Sequence, residues 1–200
     1  MVAMADHVDP QQPITEFFIK LYYSPGACSL SPHIVLKESG LAFETIAVPT
    51  KTHKLADGTD YDSINPLGYV PYLVLDDGRT LHERPAIVQY IADQAPDKQL
   101  APANGTWERY KLQEWLNTIA TELHKGFSPL FTPGMPAEAK DMTKTRLMSR
   151  LNWVDGELAG KNYLLEAFTV ADAYLFVVAG WSKPVGLDLS GLSNLGAYTT

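Results

Sequence analysis

Tyr22-Tyr23-Ser24-Pro25-Gly26-Ala27-Cys28-Ser29 joins a short β-branched and aromatic run, Ile19 to Tyr23, to a segment of helical spacing, Ser29 to Ser39, that stops at Gly40. The stretch reads as strand, turn and helix, with the chain's one cysteine on the turn at the helix N-terminus. Free backbone N–H groups and the helix dipole favour an anion there, so Cys28 is expected to ionise more easily than a cysteine inside a core. The plain structural alternative is a small buried side chain that packs the turn.

Working outward, Phe43 to Val48 is a second strand and completes a β-α-β unit, while Pro49 to Pro66 is polar and mostly loop. Tyr72 to Leu75 and Thr80 to Leu81 flank Asp76-Asp77-Gly78-Arg79, which has hairpin turn chemistry, and a helix from Pro85 to Gln94 follows. This order makes a small mixed sheet with helices packed on it. Residues 96–105, with Pro96, Pro102 and Gly105, read as a linker between a first domain at 19–95 and a second at 106–200. Beyond the linker only helical patterns remain: Trp107 to Phe127, Pro136 to Leu158 and Thr169 to Ala179. Thr169 and Asp172 have the spacing of a capping pair that opens the last of them. Residues 1–18 lack the basic start and apolar stretch of a secretory signal and read as a flexible leader.

The bulk numbers narrow the function classes. A chain of 200 residues that is 46% hydrophobic can bury a sizeable core. A net charge of -7 argues against nucleic acid or anionic membrane as partner. The apolar run from Val170 to Trp181 is broken by Asp172 and Gly180 and is too short to span a bilayer. One cysteine permits no intramolecular disulfide and no four-thiolate metal site, and fits a reducing compartment. The histidines show no close metal-ligand spacing, and no phosphate loop or Gly-x-Ser-x-Gly elbow is present, so neither metal nor nucleotide chemistry is expected.

Three more constellations sit around the cysteine turn. Gly68-Tyr69-Val70-Pro71 leads into the third strand; a cis proline there would turn the Val70 backbone outward, where an extended peptide could pair with it. Leu81-His82-Glu83-Arg84-Pro85 sets an acid and a base at a helix start, a pattern suited to the ammonium and carboxylate of an amino acid head. The alternative for Glu83 is a capping acid at the dipole. On the helix Trp107 to Phe127, Asn117 and His124 are seven apart and so fall on one side, with Lys125 beside them. His124 could exchange a hydrogen bond with a thiol across a domain boundary, against the alternative of a solvated polar face.

Tyr23-Ser24-Pro25-Gly26-Ala27-Cys28-Ser29-Leu30, Asn65-Pro66-x-Gly68-x-Val70-Pro71, Ala86-Ile87-Val88-Gln89-Tyr90, Trp115-Leu116-Asn117 and Glu122-Leu123-His124-Lys125-Gly126-Phe127 together resemble the bacterial, cysteine-containing beta class of glutathione transferases, in order along the chain. The resemblance implies an α/β thioredoxin-like N-terminal domain (β-α-β-α-β-β-α) followed by an all-α domain. Its catalytic residues would be Cys28 and His124, facing the glutathione sulfur. Val70 would pair with the cysteinyl backbone, Glu83 would hold the γ-glutamyl amino group, Asn117 and Lys125 would reach glutathione from the helical domain, and Trp115 and Trp181 would line or support the cleft. It further implies glutathione as co-substrate, small hydrophobic electrophiles as second substrates, a cytoplasmic homodimer, and a second reductase or peroxidase activity through a mixed disulfide at Cys28.

This chain departs from the family's pattern in three places. His53 stands where a lysine commonly meets the glycyl carboxylate, leaving that role to His53, Lys51 or Lys54. Arg84 replaces the usual Ser or Gly and either crowds the γ-glutamyl carboxylate or pairs with it. The chain stops at Thr200, where relatives continue through another helical segment, implying a C-terminally truncated helical domain. Competing readings are a glutaredoxin-like reductase, which leaves the helical half unexplained, and a non-catalytic regulatory or ligand-binding protein on the same fold.

Overall fold

The computed structural model describes residues 18–199; the expected leader, save Phe18, lies outside the described residues. Four strands form one mixed sheet: β1 (Ile19–Tyr23), β2 (Phe43–Ala47), β3 (Tyr72–Leu75) and β4 (Thr80–Leu81), in the order β2-β1-β3-β4. β2 runs parallel to β1, as a strand reached through a crossover helix must, whereas β3 and β4 are antiparallel, joined by the tight turn whose Gly78 N–H donates to Leu75. The crossover is α1 (Leu30–Ser39), and α2 (Arg84–Gln94) follows β4. At the fourth position of the expected order, between β2 and β3, stands a single 3₁₀ turn, Tyr61–Ser63.

Alternation along β1 sorts the layers. Ile19 and Leu21 face Val35, Leu36, Ile87, Val88 and Ile91 on the helix side, while Tyr22 points the other way into a small cluster with Tyr61, Tyr72 and Val48. Tyr22 is therefore core, as aromatic residues at strand ends usually are.

The second half is helical: α3 (Trp107–Thr118), a π segment (Ile119–His124), α4 (Lys125–Phe131), α5 (Ala137–Glu157), α6 (Val170–Gly180) and α7 (Ser193–Tyr198). α6 is apolar nearly all round and buried except at Phe176 and Gly180, so it lies at the centre and packs directly on α1 of the sheet layer. α7 has no counterpart in the periodicity reading; its six residues are too few to show a stripe, and its order comes from tertiary contacts such as Asp155 accepting from Leu195 N–H at 2.8 Å. Among the described residues no helix is long and apolar enough to cross a membrane.

Two polar devices organise the packing: one ties α2 to α3, and the other gathers the helical half around the start of α6. The Arg109 guanidinium meets both Asp93 oxygens at 2.8 and 2.9 Å and the Pro102 carbonyl at 2.9 Å, tying α2, the linker and α3 to one point. Asp172, at the start of α6, accepts from Thr169 N–H (2.7 Å), Thr169 Oγ1 (2.9 Å), Leu164 N–H (2.8 Å) and Tyr198 Oη (3.0 Å). The capping box is thus present, and it also anchors α7. Replacing Asp172 by Ala strands several buried donors at once, an expected loss of about 3 kcal/mol. Thermal melting should fall by roughly 6–12 °C; a shift under 1 °C would mean that the carboxylate is not the hub described.

Candidate functional site

The cysteine turn is laced by its own hydroxyls. Ser29 Oγ accepts from Ser24 N–H at 3.0 Å and donates to Ser24 O at 3.2 Å, and Ser31 Oγ donates to the Cys28 carbonyl at 3.0 Å. Cys28 is held 8% exposed, its Sγ 3.5 Å from the Val70 carbonyl, to which the thiol donates. Val70–Pro71 is a cis peptide at the entry to β3. The loop before it is pinned by Tyr61 Oη and Asn65 Nδ2, which donate to the Tyr69 carbonyl at 2.7 and 2.8 Å.

Arg84, in the first turn of α2, is directed inward and is 9% exposed. Its Nη1 donates to Cys28 Sγ, its Nε donates to Tyr174 Oη at 3.1 Å, and the guanidinium lies 5.3 Å from the Tyr174 ring centroid. Tyr174, fully buried on α6, also meets His124 Nδ1 at 2.8 Å. His124 packs edge-on against Trp181 at 4.9 Å between ring centroids, and Trp181 Nε1 donates to the Gly26 carbonyl at 3.1 Å, back on the cysteine turn. These contacts make a closed circuit: turn, α2, α6, the π segment, Trp181 and the turn again. The sheet layer supplies the thiol, the guanidinium and the exposed backbone; the helical layer supplies the phenol, the imidazole and the indole.

Electrostatics corrects one expectation from the sequence. Burial pushes the Cys28 thiol up; Arg84 and the backbone N–H groups of Cys28 and Ser29 pull it back only in part. A helix-start position favours a thiolate only where water or a ligand also reaches it, and this sulfur is nearly enclosed. Burial, with Arg84 and Lys125 as adjoining cations, pushes His124 down to about 3. Tyr174 is raised to about 12, chiefly by burial, with Arg84 opposing.

The remaining sequence-predicted residues fall around this circuit. Glu83 is exposed, makes no side-chain cap bond, and has φ 68°, a left-handed backbone that costs a non-glycine residue of order 1 kcal/mol or more and concentrates at functional sites. Its carboxylate is therefore not a helix cap. Arg84 neither crowds nor reaches the outer face of α2, because its side chain is committed to Cys28 and Tyr174. His53 bonds Asp62 through Nδ1 at 2.7 Å and packs on Gly68, where a Cβ would come within 2.7 Å of the ring and where φ is +66°. Asn117 and Lys125 are exposed. Asn117 and His124 do not share a face two α-turns apart, because Ile119–His124 is wound as a π-helix, whose wider turn advances fewer degrees per residue. That winding directs His124 toward Tyr174 while Asn117 stays in solvent. Trp181 belongs to the circuit, whereas Trp115 stacks on Trp153 at 5.2 Å and lines a groove of about 1290 Å³ between the linker, α3 and the end of α5. No residue of the Cys28 circuit lines that groove.

Tyr174 is the participant that sequence reading missed. An aromatic residue in an apolar helix reads as packing; the available signal was its hydroxyl, which needs a partner once buried. Among the described residues no cluster of three metal-ligating side chains exists.

His124 is neutral in the folded chain but titrates near 6.5 when unfolded. The unfolded state therefore binds more protons between pH 6.5 and 3, so the stability linked to neutral His124 is whole above pH 6.5 and is lost as pH falls toward 3. Melting temperature measured from pH 7 to 4 should fall less steeply for His124→Gln than for the parent, and parallel slopes would contradict the burial of a neutral imidazole.

Comparison with known proteins agrees with this layout. Residues 26–94 match the family model described as glutathione S-transferase, N-terminal domain. Glutathione S-transferase GstA of Escherichia coli O157:H7 is 49% identical over 182 residues, 90% of each chain. Two solved structures superpose over 90% of each chain: the ternary complex of BphK, a bacterial enzyme of this kind, at 58% identity and TM-score 0.88, and a bacterial beta-class glutathione S-transferase from Sphingomonas chungbukensis at 51% and 0.87. With the order β-α-β-β-β-α leading into a helical half, the cis Val70–Pro71 and the buried cysteine turn all in place, the chain belongs to the glutathione S-transferases, in their bacterial beta class.

Proposed function

We propose that this chain transfers glutathione to hydrophobic electrophiles. The observation that carries the reading is the Cys28–Arg84–Tyr174–His124 circuit, which sets a guanidinium donor on the thiol and links it through the phenol to the imidazole, at the seam beside the cis Val70–Pro71 peptide. Family membership supports glutathione as the co-substrate. In the reaction, the sulfur of glutathione attacks an electrophilic carbon. A C–S bond forms, the bond to the leaving group breaks with its electron pair, and the thiol proton passes to water.

The binding roles follow the chain's layout. Val70 presents its backbone to the cysteinyl unit as an added strand would. Glu83, exposed on a left-handed backbone, holds the γ-glutamyl ammonium. Asn117 and Lys125 approach from the solvent side of the helical half, and His53 or its lysine neighbours meet the glycyl carboxylate. Arg84, turned inward, serves the sulfur end of the ligand instead of a carboxylate. The division into a glutathione-binding part at 19–95 and a helical part at 106–200 belongs to the same reading. A cytoplasmic homodimer also fits: Trp107 and Tyr110, 73% and 59% exposed on α3, supply apolar area for a second subunit to cover.

Calorimetric titration with glutathione, beside an assay of chlorodinitrobenzene conjugation, tests the function. Saturable binding with turnover is expected, and Glu83→Gln should weaken glutathione by about tenfold, roughly 1.4 kcal/mol. A folded protein that neither binds glutathione nor turns over would overturn the reading.

A further inference from the structure

We infer that Arg84 and Tyr174 are positioning residues for His124: together they form a one-way hydrogen-bond chain that fixes the imidazole as the tautomer protonated on Nε2, so that it meets sulfur as a donor and not as a base. The direction of the chain follows from the donor inventory together with the burial of the phenol. A guanidinium has no lone pair to offer, so Tyr174 Oη must accept from Arg84 Nε at 3.1 Å. The phenol's single proton is then free for its other neighbour, His124 Nδ1, at 2.8 Å. The oxygen could also accept from an Nδ1–H, but the proton of the fully buried phenol would then have no acceptor among the hydrogen bonds of the described residues, so Nδ1 is the acceptor and a neutral ring carries its one proton on Nε2.

The surroundings keep that state. Tyr174 from α6 meets the ring, Arg84 from α2 and the exposed Lys125 on the next helical residue add their charges, Cys28 lies behind Arg84, and Glu83 is in the field of Tyr174. The two cations and burial oppose a second proton on His124. Trp181, edge-on at 4.9 Å, and Tyr174, edge-on at 6.1 Å, hold the ring plane. Nδ1 is occupied and Nε2 is already protonated, so His124 has no vacant lone pair for the proton of a bound thiol, and that proton leaves to water. Positive charge beside the sulfur comes from Arg84, whose Nη1 donates to Cys28 Sγ. With a small residue at 84, nothing would compel the Tyr174 proton toward His124, and either tautomer would be open.

The inference deepens the transferase reading and rests on it for the sulfur that Nε2 meets and for its kinetic arm; the tautomer itself stands on the hydrogen-bond chain. Long-range nitrogen–proton correlation spectra of uniformly ¹⁵N-labelled protein, with the His124 signals assigned through His124→Gln, report the tautomer in the free protein. The wild type should show Nε2 protonated and Nδ1 bare, unchanged from pH 8 to pH 5. Tyr174→Phe and Arg84→Met should each show a mixed tautomer, and Tyr174→Phe should lower kcat by tenfold or more while KM for glutathione moves less than threefold. A wild-type spectrum with Nδ1 protonated overturns the inference whether or not the variants fold. So does an unchanged Nε2 tautomer in both variants. Absence of glutathione turnover in the wild type would count against the transferase reading and leave the tautomer result standing.

Discussion

Arg84 carries a full positive charge from the first turn of α2 into the seam between the sheet layer and the helical layer. It has no carboxylate within ion-pair distance among the described residues. A buried cation of this kind is tolerated only when its donors are satisfied and its field is absorbed by its surroundings. Here a thiol and a phenol accept from it, the face of the Tyr174 ring lies against it, and His124 stays unprotonated nearby. The properties of the site descend from that placement. A second cation cannot form beside the first, the thiol is partly relieved of its burial penalty, and the phenol is given a fixed direction in which to donate.

Around that charge, the two halves have different work. The sheet layer is a rigid source of backbone: the serine-laced turn, the cis peptide at the entry to β3, and the left-handed Glu83 are all main-chain features anchored by local hydrogen bonds. The helical layer supplies side chains that must be aimed, and it aims them through the π segment and the buried α6. The Arg109–Asp93 clamp ties α3 to α2, and α6 packs on α1, so an aromatic side chain on one half can meet a cation from the other.

Much of this was legible in the sequence wherever the cause is local. The strand-turn-helix at Cys28, the hairpin at Asp76 to Arg79, the X-Pro bond at Val70 and the Thr169–Asp172 box each depend on neighbours within a few residues, and the structure carries all of them. What was not legible depends on partners far along the chain. The inward turn of Arg84 is set by Tyr174, ninety residues away. The upward shift of Cys28 comes from enclosure by both layers, against the local pull of the helix start. The seven-residue spacing of Asn117 and His124 assumed α winding, and a π segment has no composition signature that periodicity could detect. Tyr174 has no local mark because its hydroxyl's partners lie on α2 and on the π segment.

Enclosure and Arg84 together set the ionisation of the sulfur at this seam. Thiolate absorbance near 240 nm, titrated in the free protein and corrected with Cys28→Ser, reads that ionisation directly because Cys28 is the chain's one cysteine. The expected midpoint lies above the ordinary thiol range and moves higher still in Arg84→Gln. A midpoint below neutrality, or one indifferent to the loss of Arg84, would contradict it.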